Sequence, residues 1–155
     1  MAIEIERKFL VATDEWRAQV SRSLPMHQGY LSAEGGQASM RVRVQGDEAR
    51  LNIKAAVVGR SRAEYDYPMP LADAQEILDT LCVGCLKKTR YWVPFAGHTW
   101  EVDEFDGDNR GLVVAELELE AEDTQFELPP WLGEEVTDQR RYYNHALALK
   151  PYRTW

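Results

Sequence analysis

The sequence at residues 3–10 is IEIERKFL, in which charged and apolar side chains alternate. On a β-strand, side chains two positions apart point to the same face of the sheet, so Glu4, Glu6 and Lys8 share one face. Neighbouring carboxylates on that face lie about 7 Å apart and repel each other. This arrangement indicates that something cationic sits between them.

Length and composition are those of one ordinary globular domain. The chain has 155 residues, of which 28% are charged, and its net charge is −8. The negative charge argues against general binding of nucleic acids or acidic membranes, but it leaves room for a small polyanion in a local basic cluster. No apolar run has the length of a membrane span and no signal peptide is recognisable, so we expect a cytoplasmic protein.

Eight strand-like runs separated by short turns dominate the chain. Most connections have the length of hairpin turns, which favours an antiparallel sheet over parallel βαβ units. Apolar spacing predicts helices at 13–22 and 71–82 and a last helix capped by Thr137-Asp138, with Pro129-Pro130 to Glu134-Glu135 as its connector. The predicted strands cover residues 3–11, 26–33, 37–46, 49–58, 60–69, 86–96, 98–106 and 112–121.

The charges on the predicted strands are segregated by sign. An ordinary solvated strand face mixes the two signs because opposite neighbours attract each other. If these charged faces turn inward in a closed barrel, the interior has basic walls and acidic walls. For any single strand, a face exposed to solvent is the simpler alternative. The basic pairs are Arg41/Arg43 and Lys88/Arg90, and the acidic sets are Glu101/Asp103 and Glu116/Glu118/Glu120.

A cavity with walls of both signs suits a metal-chelated oligophosphate. Hard divalent cations such as Mg²⁺ take carboxylate oxygens as ligands. Phosphates bind to arginine forks and to lysine ammonium groups. We therefore predict a mainly β (α+β) fold, an eight-stranded antiparallel closed β-barrel with helices packed outside it, which encloses such a cavity.

The ordered set of motifs resembles the CYTH superfamily of triphosphate tunnel metalloenzymes. The resemblance begins at Glu4-x-Glu6-x-Lys8 and extends to the run RYYN at residues 141–144, so it spans nearly the whole chain. It implies a single triphosphate tunnel domain over residues 1–155 that binds a small-molecule triphosphate and one or two Mg²⁺ or Mn²⁺ ions. It implies no nucleic-acid or membrane partner and is compatible with a homodimer.

The resemblance also implies roles for individual residues. Lys8 and Tyr30 match positions that are implicated in activating water in short bacterial inorganic tripolyphosphatases. The matched phosphate-binding positions are Arg41, Arg43, Lys54, Lys88, Arg90 and Arg141. The matched candidate metal ligands are Glu4, Glu6, Glu64, Asp103, Glu116 and Glu118.

The reaction that this resemblance implies is metal-dependent hydrolysis of inorganic tripolyphosphate to pyrophosphate and phosphate. One alternative is a class IV-type adenylyl cyclase, in which the ribose 3′-hydroxyl of ATP attacks the α-phosphorus. A hydrolase of an organic triphosphate, such as thiamine triphosphate or a nucleoside triphosphate, is a second alternative, and a polyphosphate-binding module is a third.

Whether Lys8 is charged at neutral pH stays open, because nearby cations lower its pKa and nearby carboxylates raise it.

Overall fold

Nine strands, two α-helices and four short 3₁₀ turns make up the fold. The computed structural model describes residues 1–155. The α-helices are α1 (Leu71–Thr80) and α2 (Asn144–Leu149), and the 3₁₀ turns cover Glu15–Gln19, Gly107–Asn109, Arg140–Tyr142 and Tyr152–Thr154. The strands are β1 (Ala2–Val11), β2 (Arg22–Tyr30), β3 (Ala38–Gln45), β4 (Glu48–Ala55), β5 (Ser61–Met69), β6 (Gly84–Phe95), β7 (His98–Phe105), β8 (Val113–Glu118) and β9 (Leu132–Glu135).

The first eight strands close into an antiparallel barrel. Around the barrel the order is β1-β5-β4-β3-β2-β6-β7-β8, and β8 returns to β1. Strand β1 closes the ring because its residues 2–5 pair with β5 while its residues 6–10 pair with β8. The predicted eight-stranded closed barrel is confirmed.

The connector predicted before the last helix contains a short ninth strand. Strand β9 pairs antiparallel with the second half of β1, where Phe9 is opposite Glu135 and Val11 is opposite Leu132. Strand β5 covers only the first half of the same edge of β1, so β9 supplies hydrogen-bond partners to the remainder. An unpaired edge would leave backbone groups without partners, which explains why so short and acidic a segment is extended.

The helices are shorter than the sequence predicted. Only a 3₁₀ turn forms within the predicted helix 13–22, because Trp16 is buried against Tyr91 of the barrel wall and β2 already begins at Arg22. The last predicted helix begins later, because the Thr137 hydroxyl accepts a hydrogen bond from the Lys8 backbone N–H at 3.0 Å instead of capping a helix. None of the helices combines the length and hydrophobicity that crossing a membrane requires.

The apolar core lies around the barrel wall and not inside the barrel. Helix α1 packs Ala74 and Leu78 against the outward side chains of Val42 and Ala49. Two further clusters cover other parts of the wall, one built around three tryptophans and one beneath α2. Since apolar burial outside the wall supplies much of the stabilisation, the barrel interior can hold polar groups. The tryptophans are Trp16, Trp100 and Trp131.

Close packing between Gly84 and α2 predicts a marked effect of adding one methyl group. A Cβ atom at Gly84 would lie 2.6 Å from the Ala148 carbonyl oxygen, so α2 would have to move. We expect Gly84→Ala to lower the free energy of unfolding by about 1–3 kcal/mol, measured by urea unfolding. Gly36→Ala is the matched control, since the nearest atom lies 3.9 Å from its Cβ position. Equal stabilities for the two variants would contradict this packing.

Candidate active site

The barrel encloses a cavity of about 220 Å³ whose lining is mostly charged. Charged residues at alternate positions of the strands face this space, as the segregated pattern predicted. All but three of the predicted site residues line it. Those that the structure brings together are Glu4, Glu6, Lys8, Tyr30, Arg41, Arg43, Lys54, Glu64, Arg90, Glu116 and Glu118.

Three glutamates form an acidic cluster in the cavity. Glu4, Glu6 and Glu118 each offer a carboxylate oxygen within 4.8 Å of the others, and Glu6 stands opposite Glu118 in the β1–β8 register. Burial and the neighbouring Glu116 and Glu4 raise the pKa of Glu6 to about 8. Glu118 is more exposed than the other two, but partial burial and the neighbouring carboxylates also raise its pKa to about 7. Oxygen ligands this close together suit a hard divalent cation such as Mg²⁺ or Mn²⁺.

Two arginines on β3 supply a basic wall that has no carboxylate partner. Arg41 is 9% exposed and its buried Nε has no hydrogen-bond partner. The Nε of Arg43 donates only to the neutral Gln28 side chain, at 2.9 Å. Burial and the charges of Arg41 and Arg90 lower the pKa of Arg43 to about 9. Guanidinium groups held inside a protein without a counter-charge are costly, so this basic wall suits an anionic ligand.

The other cavity cations that lie on the barrel strands are paired with acids. The Lys54 Nζ lies 2.7 Å from Glu4, and the Arg62 guanidinium lies 3.3 Å from Glu4 and 3.6 Å from Glu6. Although burial opposes the effect, these cations keep the pKa of Glu4 below its usual range. A strong contrast therefore exists between the paired Lys54 and Arg62 and the unpaired arginines of β3.

Lys8 is held as an ammonium ion. Its Nζ lies 3.2 Å from Glu116 and donates a hydrogen bond to the Tyr142 carbonyl oxygen at 3.3 Å. Burial opposes the charge, but Glu116 and Glu6 outweigh it and raise the pKa of Lys8. The ion pair and the hydrogen bond therefore favour the charged form of Lys8, which donates hydrogen bonds.

Tyr30 enters the same cavity from the end of β2. Its hydroxyl oxygen accepts a hydrogen bond from the Gln28 side-chain nitrogen at 3.0 Å. Its ring stacks on the His145 imidazole with a centroid distance of 4.6 Å and an interplanar angle of 7°. Gln28 thus touches both Tyr30 and Arg43, and it couples the orientation of the phenol to that of the basic wall.

Three predicted site residues do not line the cavity. Lys88 and Asp103 form a fully buried ion pair at 2.6 Å. The same carboxylate accepts hydrogen bonds from the Arg90 Nε at 2.8 Å and from its Nη2 at 2.9 Å, so cations engage both Asp103 oxygens. Arg141 lies outside the barrel, where its guanidinium covers the Trp155 ring at 4.5 Å.

Several residues that line the cavity were not among the predicted site residues. Arg62 and Glu101 occupy inward-facing positions of their strands, so strand alternation alone could have identified them. The segment that follows the barrel contributes a second group, which strand alternation could not have identified. This group contains Arg140, Tyr143, Asn144, His145 and Ala146.

Comparison with known proteins agrees with this geometry. A family profile for the CYTH domain matches residues 2–148. The chain belongs to the CYTH family. It is 43% identical over 156 residues to an inorganic triphosphatase of Acetivibrio thermocellus, and the alignment covers 100% of this chain and 99% of that protein. It is 38% identical over 149 residues to an inorganic triphosphatase of Nitrosomonas europaea, with 94% and 97% covered.

A solved crystal structure of an inorganic triphosphatase has the same architecture. It aligns with a TM-score of 0.70 and 36% sequence identity, and the match covers 94% of this chain and 97% of that chain. The CYTH-family chain described here is therefore homologous to bacterial inorganic triphosphatases over almost its whole described sequence.

The raised pKa of Glu6 predicts a pH-dependent stability of the metal-free protein. A carboxyl whose folded-state pKa is about 8 stabilises the fold fully below its unfolded value near 4.5, and this contribution is lost as the pH rises toward 8. The loss is at most about 1.4 kcal/mol per pH unit for one proton. Between about pH 5 and 7, with chelator present, we expect the unfolding free energy of Glu6→Gln to fall less than that of wild type.

The exposed Glu120, which lies outside the cavity, provides the control for this measurement. Glu120→Gln should follow the wild-type curve of unfolding free energy against pH. If Glu6→Gln and wild type also gave parallel curves, the pKa of Glu6 would not be raised as described.

Proposed function

We propose that this CYTH-family protein hydrolyses inorganic tripolyphosphate to pyrophosphate and phosphate with the help of a divalent metal ion. The observation that carries the proposal is that one cavity has both a basic wall and an acidic cluster. Arg41 and Arg43 present positive charge without a carboxylate partner, and the carboxyls of Glu4, Glu6 and Glu118 are clustered so closely that the pKa values of Glu6 and Glu118 are raised. A metal–phosphate complex satisfies both walls at once.

The basic residues have the role of binding phosphate oxygens. Arg41 and Arg43 are free to form charge-assisted hydrogen bonds to the substrate, and Lys54 and Arg90 add positive charge at the cavity surface. Lys88 acts on the substrate only indirectly, because it holds Asp103, which in turn orients Arg90. Such an arrangement stabilises the charge that develops on the leaving pyrophosphate.

The acidic cluster has the role of holding the metal ion. Glu4, Glu6 and Glu118 would supply oxygen ligands, with Glu64 and Glu116 close by in the same cavity. A bound Mg²⁺ or Mn²⁺ ion neutralises phosphate charge and polarises phosphate oxygens. The homologous relatives act as inorganic triphosphatases, which supports this chemistry.

Lys8 and Tyr30 orient the attacking water. Phosphoryl transfer depends mainly on alignment and charge stabilisation, so it does not require a covalent nucleophile. Because the pKa of Lys8 is raised, its ammonium group donates hydrogen bonds and does not accept the proton of the water. Tyr30 offers a hydroxyl at the same cavity, and the Gln28 side chain fixes its position.

The size of the cavity favours an inorganic substrate. A cavity of about 220 Å³ is smaller than the roughly 300–1,000 Å³ typical of sites that enclose a drug-sized ligand. The deciding assay incubates the protein with Mg²⁺ or Mn²⁺ and, separately, with tripolyphosphate, ATP and thiamine triphosphate, and follows release of phosphate and cyclic AMP. We expect phosphate release that is fastest from tripolyphosphate. Cyclic AMP formation, or no turnover of any triphosphate, would overturn the proposal.

Loss of an unpaired arginine should weaken substrate binding more than loss of a paired one. We expect Arg41→Ala to raise the KM for tripolyphosphate about tenfold or more, since hydrogen bonds to charged groups contribute about 1.5–3 kcal/mol. Steady-state phosphate release measures this. Arg50→Ala is the matched control, because Arg50 does not line the cavity and its Nε pairs with Asp66 at 2.6 Å. A similar KM for both variants would argue against Arg41 as a phosphate ligand.

Loss of one carboxylate from the acidic cluster should change the requirement for metal. Glu118→Gln keeps the shape of the side chain but removes its charge, so we expect the half-saturating Mn²⁺ concentration to rise about tenfold. Titration of the initial rate with Mn²⁺ measures this at saturating tripolyphosphate. Glu120→Gln, an exposed change two residues further along, should leave the titration unchanged. Coincident curves for wild type and Glu118→Gln would remove Glu118 from the metal site.

A further inference from the structure

The two cysteines of the chain lie side by side on the outer surface of the barrel. Cys82 follows α1, and Cys85 is the second residue of β6. A Cβ atom added to Gly29 on the neighbouring β2 would lie 2.5 Å from the Cys82 Sγ and 2.9 Å from the Cys85 Sγ. Both sulfurs therefore occupy the space that the missing side chain of Gly29 leaves free.

The pair is accessible, and its two members differ in environment. Cys85 is exposed, and its thiol donates a weak hydrogen bond to the Leu78 carbonyl oxygen of α1 at 3.8 Å. Cys82 is half-buried, and burial together with the adjacent Cys85 raises the pKa of its thiol to about 11. Because the thiolate is the reactive form of cysteine, these differences favour Cys85 as the thiol that reacts first.

The loop between the two cysteines is bonded to the backbone of Tyr30. The Val83 backbone N–H donates a hydrogen bond to the Tyr30 carbonyl oxygen at 2.9 Å, and Gly84 is opposite Tyr30 in the β2–β6 register. Tyr30 lines the cavity, where it has the proposed role of orienting the attacking water. A change in this loop therefore reaches the candidate active site through one hydrogen bond.

We propose that Cys82 and Cys85 are a reversible redox pair whose oxidation displaces Val83 and slows hydrolysis in the cavity. The oxidant is a small-molecule disulfide such as oxidised glutathione. The effect on hydrolysis rests on the proposed function, whereas the formation of the protein disulfide does not.

Two thiol–disulfide exchanges convert the pair. The Cys85 thiolate attacks one sulfur of the oxidant, which forms a mixed disulfide and releases one glutathione thiolate. The Cys82 thiolate then attacks the Cys85 sulfur, which forms the Cys82–Cys85 bond and releases the second glutathione thiolate. The protein thiols lose two electrons, the oxidant gains them, and the two glutathione thiolates take up the two protons that the cysteines lose.

The second exchange is feasible although the pKa of Cys82 is raised. Cys85 carries no charge in the mixed disulfide, so its contribution to the raised pKa disappears. The attacking and the attacked sulfur are also neighbours in the folded chain, which makes this step intramolecular.

Bond formation has to move the loop at Val83. A disulfide holds its sulfurs about 2.0 Å apart, closer than two free thiols approach, so the loop tightens. Gly84 cannot take up the movement, because it packs closely against the Ala148 carbonyl oxygen of α2. Val83 is 55% exposed and free to move, so we expect its hydrogen bond to Tyr30 to break.

Mass spectrometry after oxidation of the folded protein tests the pair. Wild type is incubated with oxidised glutathione, remaining thiols are blocked with N-ethylmaleimide, and the product is compared with a sample reduced by dithiothreitol. We expect a monomer that has lost two hydrogens and carries no maleimide. A stable glutathione adduct, a disulfide between two chains, or two free thiols would overturn the proposal.

Single variants separate the roles of the two cysteines. Cys82→Ser should retain a glutathione adduct at Cys85. Cys85→Ser should react at least about tenfold more slowly, because its remaining thiol is half-buried and burial disfavours the thiolate. Equal rates of adduct formation in the two variants would overturn Cys85 as the attacking thiol.

Phosphate release from tripolyphosphate and hydrogen exchange test the link to Tyr30. We expect oxidation of wild type to lower kcat roughly tenfold and to change KM less than about twofold, because it disturbs the water-orienting group and not the arginines of β3. Dithiothreitol should restore kcat, and Cys85→Ser, treated identically, should keep it. Exchange of the Val83 amide hydrogen should become faster on oxidation. An unchanged kcat, or unchanged exchange at Val83, would overturn the link.

The outcome is separable from that of the proposed function. If the reduced protein does not hydrolyse tripolyphosphate, the proposed function fails, while mass spectrometry and hydrogen exchange still decide whether the redox pair exists and moves Val83. If the reduced protein hydrolyses tripolyphosphate but forms no disulfide, only the redox pair fails.

Discussion

Like charges held side by side inside a closed barrel are the constraint on which this molecule depends. Glu6 stands opposite Glu118 in register, and Arg41 and Arg43 stand two positions apart on one strand, all of them facing the interior. The barrel forces these charges together because closure turns one face of every strand inward. Neither set can be neutralised fully by the protein alone, so the interior suits a ligand that carries both metal and phosphate.

The fold can tolerate this arrangement because its apolar packing lies elsewhere. Three buried tryptophans and the underside of α1 pack against the outer surface of the wall. Within the wall, the buried Lys88–Asp103 pair and its bonds to Arg90 satisfy charges that would otherwise be exposed to an apolar surrounding. Apolar packing on the outer surface of the barrel thus offsets the repulsion between like charges in its interior. Functional sites are commonly supported by their scaffold in this way.

Strand alternation made most of the barrel and its lining predictable from the sequence, and it also explains what was missed. Arg62 lies two positions from Glu64 and so faces inward with it, and it could have been identified. Alternation does not show whether an inward-facing side chain reaches the cavity. For that reason Lys88 and Asp103 were predicted at the cavity surface, although they form a buried pair that does not line it. Outside the strands, the alternation that identifies inward-facing positions is absent. Sequence alone could not tell that Arg140 lines the cavity while the adjacent Arg141 points to Trp155, nor that β9 completes the edge of β1.

Anomalous diffraction from crystals grown with Mn²⁺ and a non-hydrolysable imido analogue of tripolyphosphate tests the central claim most directly. The account predicts a manganese peak within coordination distance of Glu4, Glu6 and Glu118, and phosphate density in hydrogen-bond contact with Arg41 and Arg43. Manganese and phosphate bound only on the outer surface, with the two arginines left without an anion, would contradict it.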